Sequence, residues 1–519
     1  MSPQSRLILA IALMILCLIF YSYYFPSKIS TDGENVSQIQ TAAQSNEAPQ
    51  VAKITANTAP VSSKSVDTDE IITIIEAQDF EIYIDKLGRI SKYFLNGSDF
   101  KDENGERIQL VDNSLLPLEI RFSDASLNNE AFGKSYTADT KKIVLNGEPE
   151  TLTLTQELDG VTITKKIMFT KDRGYDIEIS LSTPKDYFIS TGFRPNVLAD
   201  AYTFHGAIIK KNDGTIETID DGDVKKTVTF PKALFAAASD RYYTSLLSNF
   251  DETLNIVISP DKDKNPNIFI EGREDLKLKG YIGPKSKVNI HAVDKKLDDV
   301  IEYGFFTWIS KPIFSFLYFI HSNVGNWGWS IVILTIIIRL VLYPLTYRGM
   351  VSMNKLKDLA PRVKELQVKY KDDKQKLNIH VMDLYKKHGA NPMGGCLPIL
   401  IQIPIFFAIY RVLSNTVELK NAEWILWVKD LAVMDPYYIL PVAMGLTMFL
   451  QQKITPSNFT DPMQEKIMKF LPLIFTMFFL WFPAGLTLYW FVNNLFSIFQ
   501  QIYVNKHFKR LKEKEKAHT

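Results

Sequence analysis

The sequence predicts an α-helical polytopic membrane protein of six spans, carrying a large antiparallel β-sandwich on the outer side of the bilayer. Three observations predict it. Long apolar runs are confined to the N-terminus and to the region beyond Phe305, and all seven Trp lie at or beyond Trp308. Residues 70–294 between them switch to short alternating runs punctuated by turn dipeptides. The loops joining the apolar runs carry an uneven excess of Lys and Arg, the signal that orients a chain in a membrane. The net charge of +1 over 519 residues identifies no partner, so only its distribution is informative.

Leu7 to Phe25 is an uncharged, mostly apolar run of 19 residues, close to the roughly 20 that cross a bilayer core. Arg6 precedes it and little positive charge follows, which places the N-terminus inside. No small-residue cleavage pattern follows, so residues 1–26 are expected to stay as a signal-anchor helix. Residues 27–69 contain no aromatic residue and are rich in Ser, Thr, Ala, Gln and Asn. Such a stretch cannot bury enough apolar surface to offset its ordering entropy, and it reads as a flexible tether.

Residues 70–300 read as the β-sandwich. Thr151-Leu152-Thr153-Leu154-Thr155 and Val161-Thr162-Ile163-Thr164 alternate with period 2 and favour strands. Asn96-Gly97, Asn146-Gly147, Asp159-Gly160 and Asp213-Gly214 supply turns. The region's only histidines, His205 and His291, mark no catalytic base, and no spacing singles out a carboxylate pair. A carbohydrate-directed role here would rest on fold analogy alone. Cys17 and Cys396 are the only cysteines and both lie in apolar segments. The β region therefore holds no disulfide, and with no CxxC pair or clustered His neither a structural zinc nor any other cofactor is expected.

Phe305 to His321, apolar and aromatic but interrupted by Lys311-Pro312, is expected to lie as an amphipathic helix on the membrane surface, within an interfacial segment 301–325. Five spans follow: Trp327 to Tyr347, Gly394 to Leu413, Tyr437 to Gln452, Ile467 to Phe482 and Ala484 to Tyr503. The last two are joined by the tight turn Phe482-Pro483-Ala484-Gly485. Arg348 to Lys387 holds eleven Lys or Arg against five Asp or Glu, and the tail after Asn505 holds six against two. Both segments should be cytoplasmic. Six spans then place both termini in the cytoplasm and the β domain outside, which across a bacterial inner membrane is the periplasm. Trp308, Trp327, Trp329, Trp424, Trp427 and Trp481 fall near the outer interface, where Trp is enriched.

Leu356, Leu359, Val363, Leu366 and Tyr370 form one seam in the cytoplasmic loop, and Leu377, Val381, Leu384 and His388 form another. They predict an antiparallel helical hairpin at 349–390. Its basic residues, like those of the tail 506–519, suit topology, anionic lipid headgroups or ribosomal RNA, and the pattern leaves these open.

Arg339 stands among aliphatics in Ile336-Ile337-Ile338-Arg339-Leu340-Val341-Leu342, where a central Arg costs about 2.5–3.5 kcal/mol to insert. Thr335 lies one turn earlier on the same face. Gln402 sits in the third span, and Asn493, Ser497 and Gln500 or Gln501 draw a polar stripe along the sixth. A lone polar side chain in a span is ordinarily interhelical glue. A charge together with a stripe favours a wet cavity, and no Asp or Glu lies deep in a span to pair with Arg339.

With those residues in view, the chain resembles the YidC/Alb/mitochondrial oxidase-assembly family of membrane insertases in its Gram-negative form. The resemblance is densest from Trp327 to Tyr503. It is carried by Ile338-Arg339-Leu340-Val341-Leu342-Tyr343-Pro344-Leu345-Thr346, by Asn391-Pro392-Met393-Gly394-Gly395-Cys396-Leu397-Pro398, by Asp435-Pro436-Tyr437-Tyr438-Ile439-Leu440-Pro441 and by Leu480-Trp481-Phe482-Pro483-Ala484-Gly485-Leu486. It implies a five-span insertase core (326–505) around a hydrophilic groove and no enzymatic activity. Nascent membrane-protein clients would enter the groove, attracted by Arg339, with Thr335 beside it and Gln402, Asn493 and Ser497 contributing. The client's apolar helix would pass along Phe406, Met444, Tyr489 and Trp490; Trp490 stands where the family usually has Tyr. The resemblance also implies cooperation with the Sec translocon. Two other classes compete: an anion transporter using Arg339, for which no internal repeat is visible, and an anchored carbohydrate enzyme, which would not need Arg339.

Overall fold

The structure is a computed structural model that describes residue 60 and residues 70–518, apart from 98–99, 102–104, 112–113, 198–202, 372, 392–396 and 456–461. The expected signal anchor, nearly all of the tether and the beginning of the third span at Gly394 lie outside the described residues. The described chain divides into two compact units, with the boundary between Glu302 and Tyr303.

The first unit is β-rich. Seventeen strands among the described residues form a four-stranded and a thirteen-stranded sheet. Asp159-Gly160 makes a two-residue hairpin between Glu150–Leu158 and Val161–Phe169. Gly160 takes a φ of +76° there, which costs a residue without a Cβ nothing. Alternation holds on both strands: Leu152 and Leu154 point inward on one, and Val161, Ile163, Ile167 and Phe169 on the other. Pairing is antiparallel through these strands, but in the smaller sheet Ile71–Glu76 runs parallel to Lys142–Val144. The domain is thus not wholly antiparallel, as the sequence had suggested. Parallel neighbours need a long crossover rather than a turn, and the chain between Glu76 and Lys142 provides one. Two short helices, α1 (Ala125–Gly133) and α2 (Lys287–Val293), pack beside the strands.

The second unit is helical: α3 (Thr307–Val324), α4 (Trp327–Val341), α5 (Tyr343–Lys369), α6 (Lys374–Lys387), α7 (Leu397–Asn415), α8 (Ile439–Ile454), α9 (Pro462–Phe479) and α10 (Ala484–His518). Helix α3 runs through Pro312, its sixth residue, which leaves one backbone carbonyl of the preceding turn without its N–H partner. Its buried face is Ser310, Phe314, Leu317 and Ile320, while Trp308, Phe316 and Phe319 are exposed.

Trp327 to Tyr347, read as one span, is two helices: α4 and α5 meet at Leu342 with 64° between them. Pro344 accounts for the break, since it lacks an N–H and its ring crowds the preceding turn. Helix α5 then continues to Lys369, so the expected boundary at Arg348 falls inside a helix. Among the described residues no single helix is long and apolar enough to cross a membrane. The bent pair α4–α5 is when taken together, and Ile439–Ile454 and Lys469–Phe479 are shorter apolar helices.

Helices α5 and α6 follow one another in the chain and touch, and Leu359 and Val363 of α5 are buried. Ser352 donates to the Asn391 carbonyl at 2.8 Å and accepts from its N–H. Tyr370 stacks on His380 at 4.7 Å. Helix α10 docks on α5: Asn354 donates to Asn505 Oδ1 at 2.9 Å, and Lys512 pairs with Asp358 at 2.6 Å. Helices α8 and α9 approach so closely at Gly445 that an added Cβ would lie 1.9 Å from Thr476 Oγ1.

Two of the Trp residues of the helical unit meet directly. Trp329 lies edge-on to Trp424 at 5.8 Å, and Trp327 stacks on His321 at 3.8 Å. Trp427 donates to Asp435, whose carboxylate also accepts from the N–H groups of Tyr437 and Leu440 at the start of α8.

Candidate functional site: a guanidinium in a cavity at a helix break

Helix α4 carries Arg339 in its last turn, where the negative end of the helix dipole favours a cation. The break three residues later, at Leu342, lies beside a cavity. Its lining is Ile338, Arg339, Leu342, Leu345 and Thr346 from the broken segment, Gln402 and Ile405 from α7, and Tyr489 and Asn493 from α10. Arg339 is only 6% exposed. Its Nε donates to Asn493 Oδ1 at 2.8 Å and its Nη2 to the Asn493 carbonyl at 3.1 Å. Among the described residues it has no acidic partner. Both of its partners are neutral, so the positive charge is oriented but not cancelled.

The structure divides the residues singled out from sequence. Arg339, Gln402, Asn493 and Tyr489 share the cavity. Thr335 is buried, but its hydroxyl donates to the Ile331 carbonyl of its own helix at 2.6 Å. Ser497 accepts from Gln451 of α8 at 3.0 Å, so this part of the stripe ties helices together. Of the apolar set, Phe406 and Trp490 meet edge-on at 4.7 Å, and Trp490 also packs on Phe475 and Phe479. Met444 is fully buried on α8, and Tyr489 turns toward the cavity rather than joining Phe406.

Sequence reasoning passed over Thr346 and Arg411. Thr346 lies seven residues after Arg339, two helical turns on, so the same periodicity that picked Thr335 would have found it. Arg411, buried at 8% exposure in α7, sits one turn from the end of an otherwise apolar segment.

The β unit hides its own polar core. Arg89 donates to Asp85 and Glu119, and Arg121 also bonds Glu119. Burial alone would lower the Arg89 pKa, but the two carboxylates reverse that and hold it above its ordinary value. Lys165 is fully buried and donates to the carbonyls of Gly88 and Leu118 at 2.9 and 2.8 Å, 4.6 Å from the Tyr136 ring centre. Burial pulls its pKa down to about 7. His291 bonds Asp298, and His205 contacts Thr203.

Two family models match: one described as "60Kd inner membrane protein" over residues 319–513, and one described as "YidC periplasmic domain" over residues 75–316. The chain is 50% identical to the membrane protein insertase YidC of Campylobacter jejuni over 98% of this chain and 97% of that protein. It is 51% identical to the protein of the same name from Wolinella succinogenes, over 97% and 95%. The function named for these relatives is not an enzymatic one. A solved structure titled "Active YidC insertase crystal structure with the first transmembrane domain resolved" aligns over 83% of this chain and 94% of that chain. Its 17% identity and TM-score of 0.36 are too low to bear on the fold. Identity of 50% and 51% to those two relatives over nearly the whole length decides the matter: the chain belongs to the YidC family.

Proposed function

We propose that this chain is a membrane protein insertase and chaperone of a Gram-negative inner membrane, and that the Arg339 cavity receives polar or acidic segments of its clients. The observation that carries the proposal is a buried guanidinium with neutral partners only, at a helix break and beside a cavity. A permanent structural charge is ordinarily matched by an acid, as Arg89 is. A charge left without one suits transient binding of something negative. Gln402 and Asn493 complete the polar side of the groove, and Thr335 and Ser497, bonded within the helices, back it. Phe406, Met444, Tyr489 and Trp490 form the apolar path along which the client's helix moves toward lipid.

In this reading the chain has six spans, beginning with the N-terminal signal anchor, and both termini are cytoplasmic. The tether leads to the periplasmic β domain, α3 lies at the interface, and helices α4 to α10 make the insertase core with its cytoplasmic hairpin. The basic faces of the hairpin and of the α10 tail meet membrane lipids and the ribosome, and the protein works alone or with the Sec translocon. The test is insertion of two single-span clients, differing only in an acidic or a neutral outer segment, into proteoliposomes holding the full chain. Arg339→Ala should impair the acidic client by about tenfold or more, the worth of a charge-assisted contact. Equal insertion of both clients by Arg339→Ala and the parent would overturn electrostatic capture.

A further inference from the structure

We infer that Asn493 is the positioning residue of the groove: it holds the guanidinium of Arg339 by one edge so that the opposite edge is presented to a carboxylate of the client. The inference rests on the insertase reading above.

A guanidinium has five N–H donors arranged as two forks, one formed by Nε and Nη2 and the other by Nη1 and Nη2. Asn493 occupies the first fork completely, with its side-chain oxygen on Nε and its own carbonyl on Nη2. Both acceptors come from one residue, 5% exposed, on a helix that Gln500 also ties to α4 by donating to the Arg339 carbonyl at 3.4 Å. Among the described residues Nη1 and the remaining N–H of Nη2, which form the second fork, make no hydrogen bond. That fork matches the spacing of a carboxylate, which it can bind with two parallel bonds. The other polar residues of the same helix behave differently. Ser497 accepts from Gln451 of α8, and Asn505 accepts from Asn354 of α5 and donates to the Ile454 carbonyl of α8, as glue does.

The consequence is that the groove offers a directed fork rather than a free positive charge. Lysine at position 339 would keep the charge but could neither fill the Asn493 clamp nor present a planar fork. An aspartate at 493 would keep an acceptor on Nε but cancel the charge.

The test uses the full chain in proteoliposomes with the acidic and neutral clients. Asn493→Ala should lower insertion of the acidic client about tenfold further than that of the neutral client. Asn493→Asp keeps the bond to Nε and should fold, yet it should lower the acidic client at least as far. Added to Arg339→Lys, Asn493→Ala should cost less than about twofold more, because the group it positions is already gone. Equal losses for both clients, multiplicative losses in the double variant, or normal acidic insertion by Asn493→Asp would each overturn the positioning role. If Arg339→Ala discriminates between clients but Asn493→Ala does not, this inference falls and the insertase reading stands. If Arg339→Ala does not discriminate, the capture reading itself falls.

Discussion

Two buried arginines in this chain have opposite surroundings. Arg89, in the β unit, is 1% exposed and bonded to two carboxylates, Asp85 and Glu119. Arg339, in the helical unit, is 6% exposed and bonded to one amide oxygen and one carbonyl. Removing either side chain deletes a buried cation, but only one deletion leaves buried anions behind. The first arginine is part of what holds its unit together. The second is held by its unit and left electrostatically open, which is the condition a capture site needs.

The comparison breaks most sharply at Arg89. Arg89→Ala strands Asp85 and Glu119, both essentially inaccessible, and should destabilise the β unit by about 3–5 kcal/mol. The thermal transition of that unit, followed in the detergent-solubilised full chain, is the measurement. A loss under 1 kcal/mol would mean that the carboxylates are relieved by neighbours such as Arg121.

Lys165 is the intermediate case, a buried cation bonded to carbonyls. Its pKa of about 7 lies well below the unfolded 10.5, so between those values the unfolded chain binds more protons than the folded one. Stability of the β unit should therefore rise with pH across that window. Lys165→Met should flatten the rise and cost about 1–3 kcal/mol, because the carbonyls of Gly88 and Leu118 lose their donor. Unfolding at pH 7 and at pH 9.5, with and without the substitution, separates the two effects. A slope unchanged by Lys165→Met would assign the pH dependence to other groups.

Arg339→Ala should change the stability of the helical unit by less than about 1 kcal/mol, since no anion is stranded and Asn493 lines a cavity. A large loss would make Arg339 a structural residue like Arg89 and remove the contrast on which the capture reading draws.

How much of this was legible in the sequence follows the same division. Arg339 stood out because a charge violates an aliphatic helix, and Asn493 because a 3.6-residue stripe put it near that face. The turn at Asp159-Gly160 was readable from local chemistry, and so was the burial of Leu359 and Val363 from their helical spacing. Lys165 was readable too, because Val161, Ile163, Lys165, Ile167 and Phe169 share one strand face, and alternation alone turns the lysine inward. It was missed because charges on strands are usually assigned outward. The partnership of Arg89 with Glu119 was not readable, for it joins segments 30 residues apart through sheet packing that no local pattern encodes. The break at Leu342 was foreseeable from Pro344. Its consequence, a cavity into which Thr346 folds back, depends on how α7 and α10 pack around it.

An exposed ion pair completes the series and sets its lower end. Lys512 of α10 meets Asp358 of α5 at 2.6 Å with both side chains about half accessible, at 47% and 39%. Solvent screens such a pair, and holding two long side chains in one geometry consumes much of the Coulomb gain, so Lys512→Ala should cost no more than about 0.5 kcal/mol. The effect should shrink further when salt is raised from about 0.05 to 0.5 M, because the Debye length falls below the reach of neighbouring lysines. Asn354 and Asn505 lie farther up the same helix pair and bond each other directly. Asn354→Ala should therefore loosen the α5–α10 contact more than Lys512→Ala does, and hydrogen exchange of the residue 500–512 amides measures both. If Lys512→Ala proves the larger, the tail is held by charge rather than by the buried amides. Exposed charge in this chain would then carry the structural weight that the two arginines assign to buried charge.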